Sequence, residues 1–251
     1  MIPKIKEKIN SKATLNAGDI FLKNNSVRSL EDLPKAPQNC VLCPWSRAKE
    51  ILDEKTTLTE SVKIKNPVYT SENFALFTGY VGFGAPMWTW VLEQLIYWGV
   101  KNFIFIGWFG KVNPKINTNG IYVATRALRD EGTSYHYSEP SKWAYPDKEL
   151  TDKLLTNKEV KPVYIWTTDA MFRQTETEID YAIKNNIAGF EMELSALFEV
   201  AKFRKVKIAS IQIVSDYFID GHYKSIYRTG EEGIFEKNFK EAVRIAFNFF
   251  K

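Results

Sequence analysis

The chain has 251 residues, of which 45% are hydrophobic and 25% charged, a composition typical of a soluble globular protein. Its 34 basic and 30 acidic residues give a net charge of +4, and the basic residues are spread along the chain, which argues against nucleic-acid binding. No apolar run approaches the roughly 18 residues that a membrane span needs, and the amino-terminal sequence lacks the apolar segment of a secretory signal. A cytoplasmic protein is therefore expected.

The first predicted feature is an irregular polar extension over residues 1–38, which ends in the turn-rich stretch LEDLPKAPQN. Residues 39–251 are expected to form a single domain, which begins with the short buried strand NCVLC. This strand contains both cysteines of the chain, Cys40 and Cys43. With only two histidines elsewhere, the chain has too few soft ligands for a tetrahedral metal site. The cysteines are thus predicted to be buried strand residues rather than redox groups, and neither a metal nor a cofactor is expected.

Strands and helices then alternate along the chain. The predicted helices are SRAKEILDE, MWTWVLEQLIYWG ending at Gly99, TETEIDYAIKNN, GFEMELSALFEVAKF (189–203) and a closing helix over 233–249. The predicted strands are FALFTGYVGFG, which runs into a glycine-rich turn, KNFIFIGWFG, GIYVATRALRD, VYIWTTDA and VKIASIQIVSD. This alternation predicts an α/β domain with a mixed, mostly parallel sheet between helices, in which functional sites lie where strands end.

Two acidic residues, Glu191 and Glu193, flank Met192 at the start of the otherwise apolar segment 189–203. Burying an unpaired charge costs several kcal/mol or forces a pKa shift, so acids in this position require an explanation. They could face the positive end of a helix dipole. Alternatively, a ligand with hydroxyl groups or a developing positive charge could lie opposite them. Both explanations remain open from these residues alone.

Several segments at predicted strand ends together resemble nucleoside phosphorylases of the purine nucleoside and uridine phosphorylase type. The segments are CPWSRAKEIL, TGYVGFGAP, RDEGTSYHY, TTDAMFRQT, FEMELSAL and IVSD. The resemblance runs from about Cys40 to the end of the chain, and its strongest element is Glu-Met-Glu at 191–193. It implies a three-layer α/β/α sandwich around a mixed, distorted central sheet. It also implies that phosphate cleaves the N-glycosidic bond of a nucleoside, giving a free base and a pentose 1-phosphate.

The resemblance assigns the sugar side of the site to the Glu-Met-Glu segment. Breaking the bond to the base builds positive charge on the sugar, and a preorganised carboxylate can stabilise that charge. The resemblance gives this catalytic role to Glu193 and places Met192, Glu191 and Phe83 at the ribose as well. The alternatives are a helix-dipole partner on a solvated helix for Glu193 and a surface or structural pair for Glu191.

On the base side, the resemblance implies that Asp216 is catalytic and gives the leaving base a proton or a hydrogen bond. Met171, Phe172 and Arg173 fall where relatives hold the base, and an aromatic face there suits any planar heterocycle. A strand-end cap for Asp216 and a core position for Phe172 are the alternatives. Arg173 and Gln174 do not match the spacing with which relatives bind uracil. Asp216 matches the aspartate that purine-cleaving relatives use, so the resemblance slightly favours a purine base.

The phosphate side departs from the family pattern. Relatives carry Gly-Asp-Pro-x-Arg where this chain has Cys-Pro-Trp-Ser-Arg, so only Arg47 is kept. The resemblance implies that Arg47, Gly84 and Lys65 bind inorganic phosphate, the co-substrate. Phe105 and Trp108 replace an arginine and a hydroxyl donor, and each lost charge-assisted hydrogen bond costs about 1.5–3 kcal/mol. Phosphorolysis is therefore ranked first, hydrolysis by water second, and nucleoside binding without turnover third.

Two further features suggest a role without defining one. The RDEGTSYHY segment is rich in chemically capable side chains, and His136 is a weak candidate for function. The aromatic helix carries rings around most of its circumference, which suggests a subunit interface; the rings belong to Trp88, Trp90, Tyr97 and Trp98. The resemblance implies a homo-oligomer, either a dimer or a trimer of dimers, acting on a small-molecule nucleoside.

Overall fold

The computed structural model of the protein describes residues 5–219, 222–227 and 232–251. Within these ranges the strands are β1 (Asn39–Cys43), β2 (Thr59–Lys63), β3 (Pro67–Thr70), β4 (Ala75–Thr78), β5 (Asn102–Lys111), β6 (Ile121–Asp130), β7 (Trp143–Ala144), β8 (Val160–Thr168), β9 (Ile187–Glu191), β10 (Lys207–Ile219) and β11 (His222–Ser225). The α-helices are α1 (Ala17–Asn24), α2 (Arg47–Asp53), α3 (Ala85–Trp98), α4 (Lys148–Leu155), α5 (Glu176–Lys184), α6 (Leu194–Arg204) and α7 (Glu232–Phe249).

The strands form one mixed sheet whose centre is β5. Strand β5 pairs in parallel with β1 and β10 and in antiparallel fashion with β9. Because β10 also pairs with β6, the strands β10, β6, β8, β9 and β5 close into a circuit, while β1, β4, β3 and β2 continue from it as an open sheet. The strands β1, β4, β5 and β10 run in the same direction, so their carboxyl ends share one edge of the sheet.

Helices cover the sheet in two groups. Helix α3 packs against both α1 and α6, and α2 packs against α7. A single large core of aliphatic and aromatic side chains joins these helices to the strands. The α/β sandwich with a mixed, distorted sheet that the sequence predicts is therefore confirmed.

Helix α3 shows why its boundaries could be read from the sequence. Pro86 occupies the first turn, where a backbone N–H has no partner within the helix. The helix ends at Gly99, whose φ of 129° would strain any residue with a side chain. The predicted end at Gly99 is confirmed.

The prediction of an irregular amino-terminal extension is wrong in part, although residues 1–4 lie outside the described residues. Helix α1 begins at a capping box in which Asn16 and Asp19 satisfy each other's backbone N–H groups. Phe21 is fully buried, and its ring lies 6.0 Å from that of Tyr97 on α3. This packing stabilises the short helix. The sequence pattern of the segment does not predict the contact.

The same contact changes the interpretation of the aromatic helix. Trp88 and Trp98 are buried in the core, and Tyr97 is covered by α1. Most of the rings on α3 thus pack within the chain, so their number does not by itself indicate a subunit interface.

The prediction of a helix over 189–203 is wrong for its first residues. Gly189 to Glu191 complete the buried strand β9, and the helix begins only at Leu194. A Cβ at Gly189 would lie 2.0 Å from the carbonyl oxygen of Gly110, so only glycine allows β9 to approach β5 here. The sequence analysis also missed β2, β3, β7, β11 and α4, and it ended β10 at Asp216, three residues too early.

The prediction of buried strand cysteines is confirmed. Cys40 and Cys43 are buried free thiols in β1, and burial raises the pKa of both, that of Cys43 to about 12. They are therefore protonated and poor nucleophiles. Among the helices that the structure describes, none is both long and apolar enough to cross a bilayer.

Candidate active site

A small cavity lies at the sheet edge that the carboxyl ends of β1, β4, β5 and β10 share. We call it the Glu193 cavity; its lining residues are Pro44, Gly82, Phe83, Trp88, Phe105, Gly107, Trp108 and Glu193. Its volume of about 30 Å³ suffices for a water molecule. A larger concavity of about 290 Å³ lies at the opposite edge, but its charged groups are lysines and Glu149, which pairs with Lys207. Of the acids predicted for the site, Glu193 lines this smaller cavity, whereas Glu191 and Asp216 do not.

Glu193 is a half-buried residue in the junction between β9 and α6. Its carboxylate accepts hydrogen bonds from the backbone N–H of Gly84, at 2.7 Å, and of Met192, at 3.3 Å. It is the N-cap residue of α6 but makes no capping hydrogen bond to that helix, and it is half-buried rather than on a solvated face. Burial raises the pKa of Glu193, and the N–H of Gly84 opposes that rise. A carboxylate fixed in this way is available to a ligand in the cavity.

The glycine-rich turn before α3 supplies the backbone partner of Glu193. Gly79, Gly82 and Gly84 all have positive φ, which a side chain would oppose. The N–H of Gly84, predicted to bind phosphate, is donated to Glu193 instead. Phe83, predicted to lie against the ribose, lines the cavity while 63% of the residue remains exposed.

Glu191 has a different environment from Glu193 and is almost fully buried. One carboxylate oxygen accepts the N–H groups of Glu193 and Leu194, both at 2.7 Å, and the other accepts the hydroxyl of Thr167. Burial and the nearby Glu193 raise its pKa. With both oxygens engaged within the chain, Glu191 holds the start of α6 and is not placed to bind ribose directly. The alternative of a structural pair describes its contacts better than the predicted ribose contact.

Asp216 is positioned by an irregularity in β10. The pairing of β10 with β5 skips Ser215, and this bulge sets Asp216 opposite Gly110. A Cβ at Gly110 would lie 2.7 Å from a carboxylate oxygen of Asp216, so the glycine makes room for the acid. Asp216 lies within the strand and accepts the Ser215 hydroxyl at 2.7 Å. It is therefore not the strand-end cap considered as an alternative.

The strands that carry the two acidic residues lie on either side of the end of β5, although Asp216 itself does not line the Glu193 cavity. Gly110 pairs with Asp216 on one side and with Phe190 on the other. Two interstrand spacings therefore separate the backbones at 216 and 190, about 10 Å. Burial raises the pKa of Asp216, and the hydrogen bond from Ser215 opposes that rise.

The residues predicted to hold the base form a short 3-10 turn after β8. Phe172 is 93% exposed, so its alternative assignment to the core is wrong. Met171 and Arg173 are also exposed, and none of the three lines the Glu193 cavity. The turn nevertheless begins near it, because Asp169, which accepts the N–H of Gly132 at 2.8 Å, lies close enough to raise the pKa of Glu193.

The two cations predicted to bind phosphate have acceptors within the chain. The guanidinium of Arg47 pairs with Glu236 on α7 and lies over the ring of Trp45, 5.7 Å from its centre. The ammonium of Lys65 donates to the carbonyl of Val81 at 3.2 Å. Neither cation lines the cavity. The predicted phosphate contacts of Arg47 and Lys65 stay predictions.

Aromatic rings occupy the cavity wall where the family pattern has phosphate ligands. Phe105 is buried and packs edge-on against Trp88, with ring centres 5.1 Å apart. Trp108 packs in the same way against Phe235 of α7, at 5.9 Å. These rings offer no hydrogen-bond donor comparable to a guanidinium.

The sequence analysis assigned no role to two residues near the site. A buried carboxylate, Glu131, accepts the hydroxyl of Ser195 at 2.8 Å, and only the composition of RDEGTSYHY hinted at it. His136 of that segment instead bonds to Lys8 at 2.8 Å and does not line the cavity. On β10, the buried amide of Gln212 makes no hydrogen bond in the described part of the chain and lies beside Gly107 of the cavity wall.

Comparison with known proteins places this arrangement in a family. A sequence model described as the phosphorylase superfamily matches residues 58–249. The chain belongs to the phosphorylase superfamily. The family inferred from the Glu-Met-Glu, glycine-turn and Ser-Asp segments is thereby confirmed.

Individual members of the superfamily are only distantly similar. A guanosine phosphorylase of Halorubrum lacusprofundi is 24% identical over 212 residues, covering 80% of this chain and 86% of that protein. An uncharacterized protein of Acanthamoeba polyphaga mimivirus is 30% identical over 141 residues, and the match spans 55% of this chain and 56% of the viral protein. The crystal structure of a uridine phosphorylase from Vibrio fischeri superposes with a TM-score of 0.72 at 22% identity, covering 86% of this chain and 92% of that one. This superposition shows the phosphorylase fold.

Proposed function

We propose that the protein cleaves the N-glycosidic bond of a nucleoside with phosphate as acceptor, and that purine nucleosides are favoured slightly over uridine. The observation that carries the proposal is the position of Glu193. Its carboxylate is held by two backbone N–H groups at the wall of a cavity, and Asp216 lies across the end of β5. Membership of the phosphorylase superfamily supports the reaction class.

The proposed reaction uses the two acids for different tasks. As the bond between C1′ and the base nitrogen breaks, its electron pair leaves with the base and the sugar becomes cationic. The carboxylate of Glu193 stabilises that charge and holds the sugar hydroxyls. Asp216 donates a proton or a hydrogen bond to the departing base, and a phosphate oxygen forms the new bond to C1′.

Hydrolysis is the second candidate, and the wall of the Glu193 cavity favours it. Phe105 and Trp108 face the cavity where phosphate ligands would be needed, and Arg47 is paired with Glu236. The remaining volume of about 30 Å³ accommodates a water molecule beside Glu193. In this reaction water would replace phosphate as the group that bonds to C1′.

One incubation separates these functions. The purified protein is mixed with inosine, adenosine or uridine, with and without inorganic phosphate, and free base and pentose 1-phosphate are measured. Base release only with phosphate, matched by pentose 1-phosphate, is the expected result. Base release without phosphate would establish hydrolysis instead. If no nucleoside is cleaved, both reactions are excluded, and a rise in melting temperature with nucleoside would identify a binding protein.

We also propose a homo-oligomer, a dimer or a trimer of dimers, on the strength of the family resemblance. Light scattering of the purified protein tests this directly. A mass equal to that of the 29.0 kDa chain would contradict it.

A further inference from the structure

A third carboxylate near the site belongs to Glu131, a buried residue directly after β6. Its residue is 5% exposed, and each carboxylate oxygen accepts one hydrogen bond. The donors are the hydroxyl of Ser195, at 2.8 Å, and the N–H of Ser134, at 2.9 Å. Neither of these two donors is cationic, so within the described residues Glu131 is held by neutral hydrogen bonds rather than by a direct ion pair.

Ser195 links Glu131 to the glutamates of the site. It belongs to the first turn of α6, and its N–H donates to the hydroxyl oxygen of Thr167 at 3.0 Å. The hydroxyl of Thr167 in turn donates to Glu191, which accepts the N–H of Glu193. A continuous set of buried hydrogen bonds therefore runs from Glu131 to the backbone of Glu193.

The far end of this set is anchored by Arg129. Its guanidinium donates to the Ser134 hydroxyl at 3.0 Å, to the Glu139 carbonyl at 2.9 Å and to the Ser141 hydroxyl at 2.7 Å. Arg129 thus fixes the segment that follows β6, and with it the backbone around Glu131. The RDEGTSYHY segment acquires a role through these contacts rather than through His136.

We propose that Glu131 is a positioning residue for Glu193, an inference that rests on the proposed function. Glu191 already satisfies the N–H groups at the start of α6, so Glu131 is not needed to cap that helix. It instead holds the side chain of Ser195, which prevents the first turn of α6 from shifting. The Glu193 carboxylate is thereby kept against Gly84 and directed to the cavity. Misplacement of a reacting group by about 1 Å can cost 10²-fold in rate.

Two serine-to-alanine variants provide a matched test. Ser195→Ala removes the hydroxyl that reaches Glu131, whereas Ser210→Ala removes a buried hydroxyl that makes no hydrogen bond in the described structure. With the nucleoside that the wild type cleaves, kcat should fall about tenfold in Ser195→Ala, while its KM changes less than about twofold. In Ser210→Ala, both kcat and KM should change less than about twofold. Glu131→Gln should behave like Ser195→Ala, because an amide nitrogen cannot accept one of the two donors.

A pH profile distinguishes positioning from a general loss of stability. Desolvation raises the pKa of Glu193, so a carboxylate released toward water should titrate nearer its ordinary value. In a plot of kcat/KM against pH, the rise that reflects deprotonation of Glu193 should therefore occur at lower pH in Ser195→Ala. In Ser210→Ala it should occur at the same pH as in the wild type. Unchanged kcat and an unchanged position of this rise in Ser195→Ala would overturn the inference.

Hydrogen exchange keeps the inference testable if the proposed function itself fails. Should the wild type cleave no nucleoside, exchange at the amides of Glu193 and Leu194 becomes the deciding measurement. Faster exchange in Ser195→Ala and not in Ser210→Ala would support a positioning contact. Equal exchange in the two variants would overturn it.

Discussion

The two walls of the Glu193 cavity are built on different principles. On the β9–α6 wall, the carboxylate of Glu193 accepts backbone N–H groups, and the buried Glu191 beside it in the chain accepts backbone N–H groups and a threonine hydroxyl. On the β5 wall, Phe105 and Trp108 pack against other rings, and the cation Arg47 is paired with Glu236. The comparison teaches that the wall proposed to face the sugar is preorganised by hydrogen bonds within the chain, whereas the wall proposed to face the acceptor is formed by aromatic packing.

This difference has an energetic basis. The hydrogen bonds of the glutamate wall come from helix and turn backbone, which most substitutions leave in place. The acceptor wall of the family pattern depends on individual arginine and hydroxyl side chains, and replacement of one side chain removes its contact entirely. A site can therefore retain the means to stabilise a cationic sugar while its acceptor changes.

The largest expected effect follows from removing the charge on the glutamate wall. Glu193→Gln should lower kcat/KM for nucleoside by roughly 10²–10³-fold, as expected when a preorganised group that stabilises the transition state is lost. The melting temperature should change little, because the amide oxygen can still accept the N–H of Gly84 and only the longer hydrogen bond from Met192 is lost. Steady-state kinetics and thermal unfolding measure both. Glu72→Gln, at an exposed position, serves as the control. An equal loss of activity in this control would contradict a specific catalytic role for Glu193.

A smaller effect is expected from the room that β5 leaves for Asp216. In Gly110→Ala the new methyl group would lie 2.7 Å from the Asp216 carboxylate, which must therefore move. We expect kcat to fall about tenfold through loss of orientation at the leaving base. Gly233→Ala is the matched control, since no atom of the described residues lies within 4 Å of its added methyl group. Retention of full activity by Gly110→Ala would show that Asp216 does not act on the base.

The proposed phosphate side of the site can be tested by releasing Arg47 from its ion pair with Glu236. Glu236→Gln should release Arg47 and lower the KM for phosphate several-fold, where tenfold corresponds to 1.4 kcal/mol. Stability should change by less than about 1 kcal/mol, because the ion pair is partly exposed. Glu241→Gln, which breaks the pair with Arg244 on the same helix, is the control. Base release that remains independent of phosphate in Glu236→Gln would favour hydrolysis and sharpen the contrast between the walls.

The smallest effect concerns stability against pH. The pKa values of Glu191 and Glu193 are raised above the ordinary 4.5, so the folded protein keeps protons that the unfolded chain has released. Their contribution to the free energy of unfolding is fully present below pH 4.5 and is lost as pH rises toward neutrality. Glu193→Gln removes part of this dependence. The free energy of unfolding of the variant, measured in urea, should therefore rise relative to that of the wild type as pH rises from 4.5 to 7. A difference between the two free energies that stays constant with pH would contradict the raised pKa.

Much of the fold could be predicted because its signals are local. The apolar runs of β1, β5 and β10, and the helix that ends at Gly99, follow from the period and length of hydrophobic segments. Helix α1 could not be predicted in this way, because its stability depends on the packing of Phe21 against a helix more than seventy residues away. The strand that ends at Glu191 was missed because Gly189 and Glu191 have low strand propensity, which the close contact with Gly110 overrides.

The sequence by itself determined the α/β class, the family and the candidate acids Glu193 and Asp216. Only the tertiary structure decided what each charged group does. It assigns the oxygens of Glu191 to the backbone of α6, pairs Arg47 with Glu236 and places Glu131 behind Ser195. The physical reason is that the role of an ionisable side chain depends on the donors and acceptors that reach it. Those groups come from segments far apart in the chain, as when the N–H of Gly84 meets Glu193 across 109 residues.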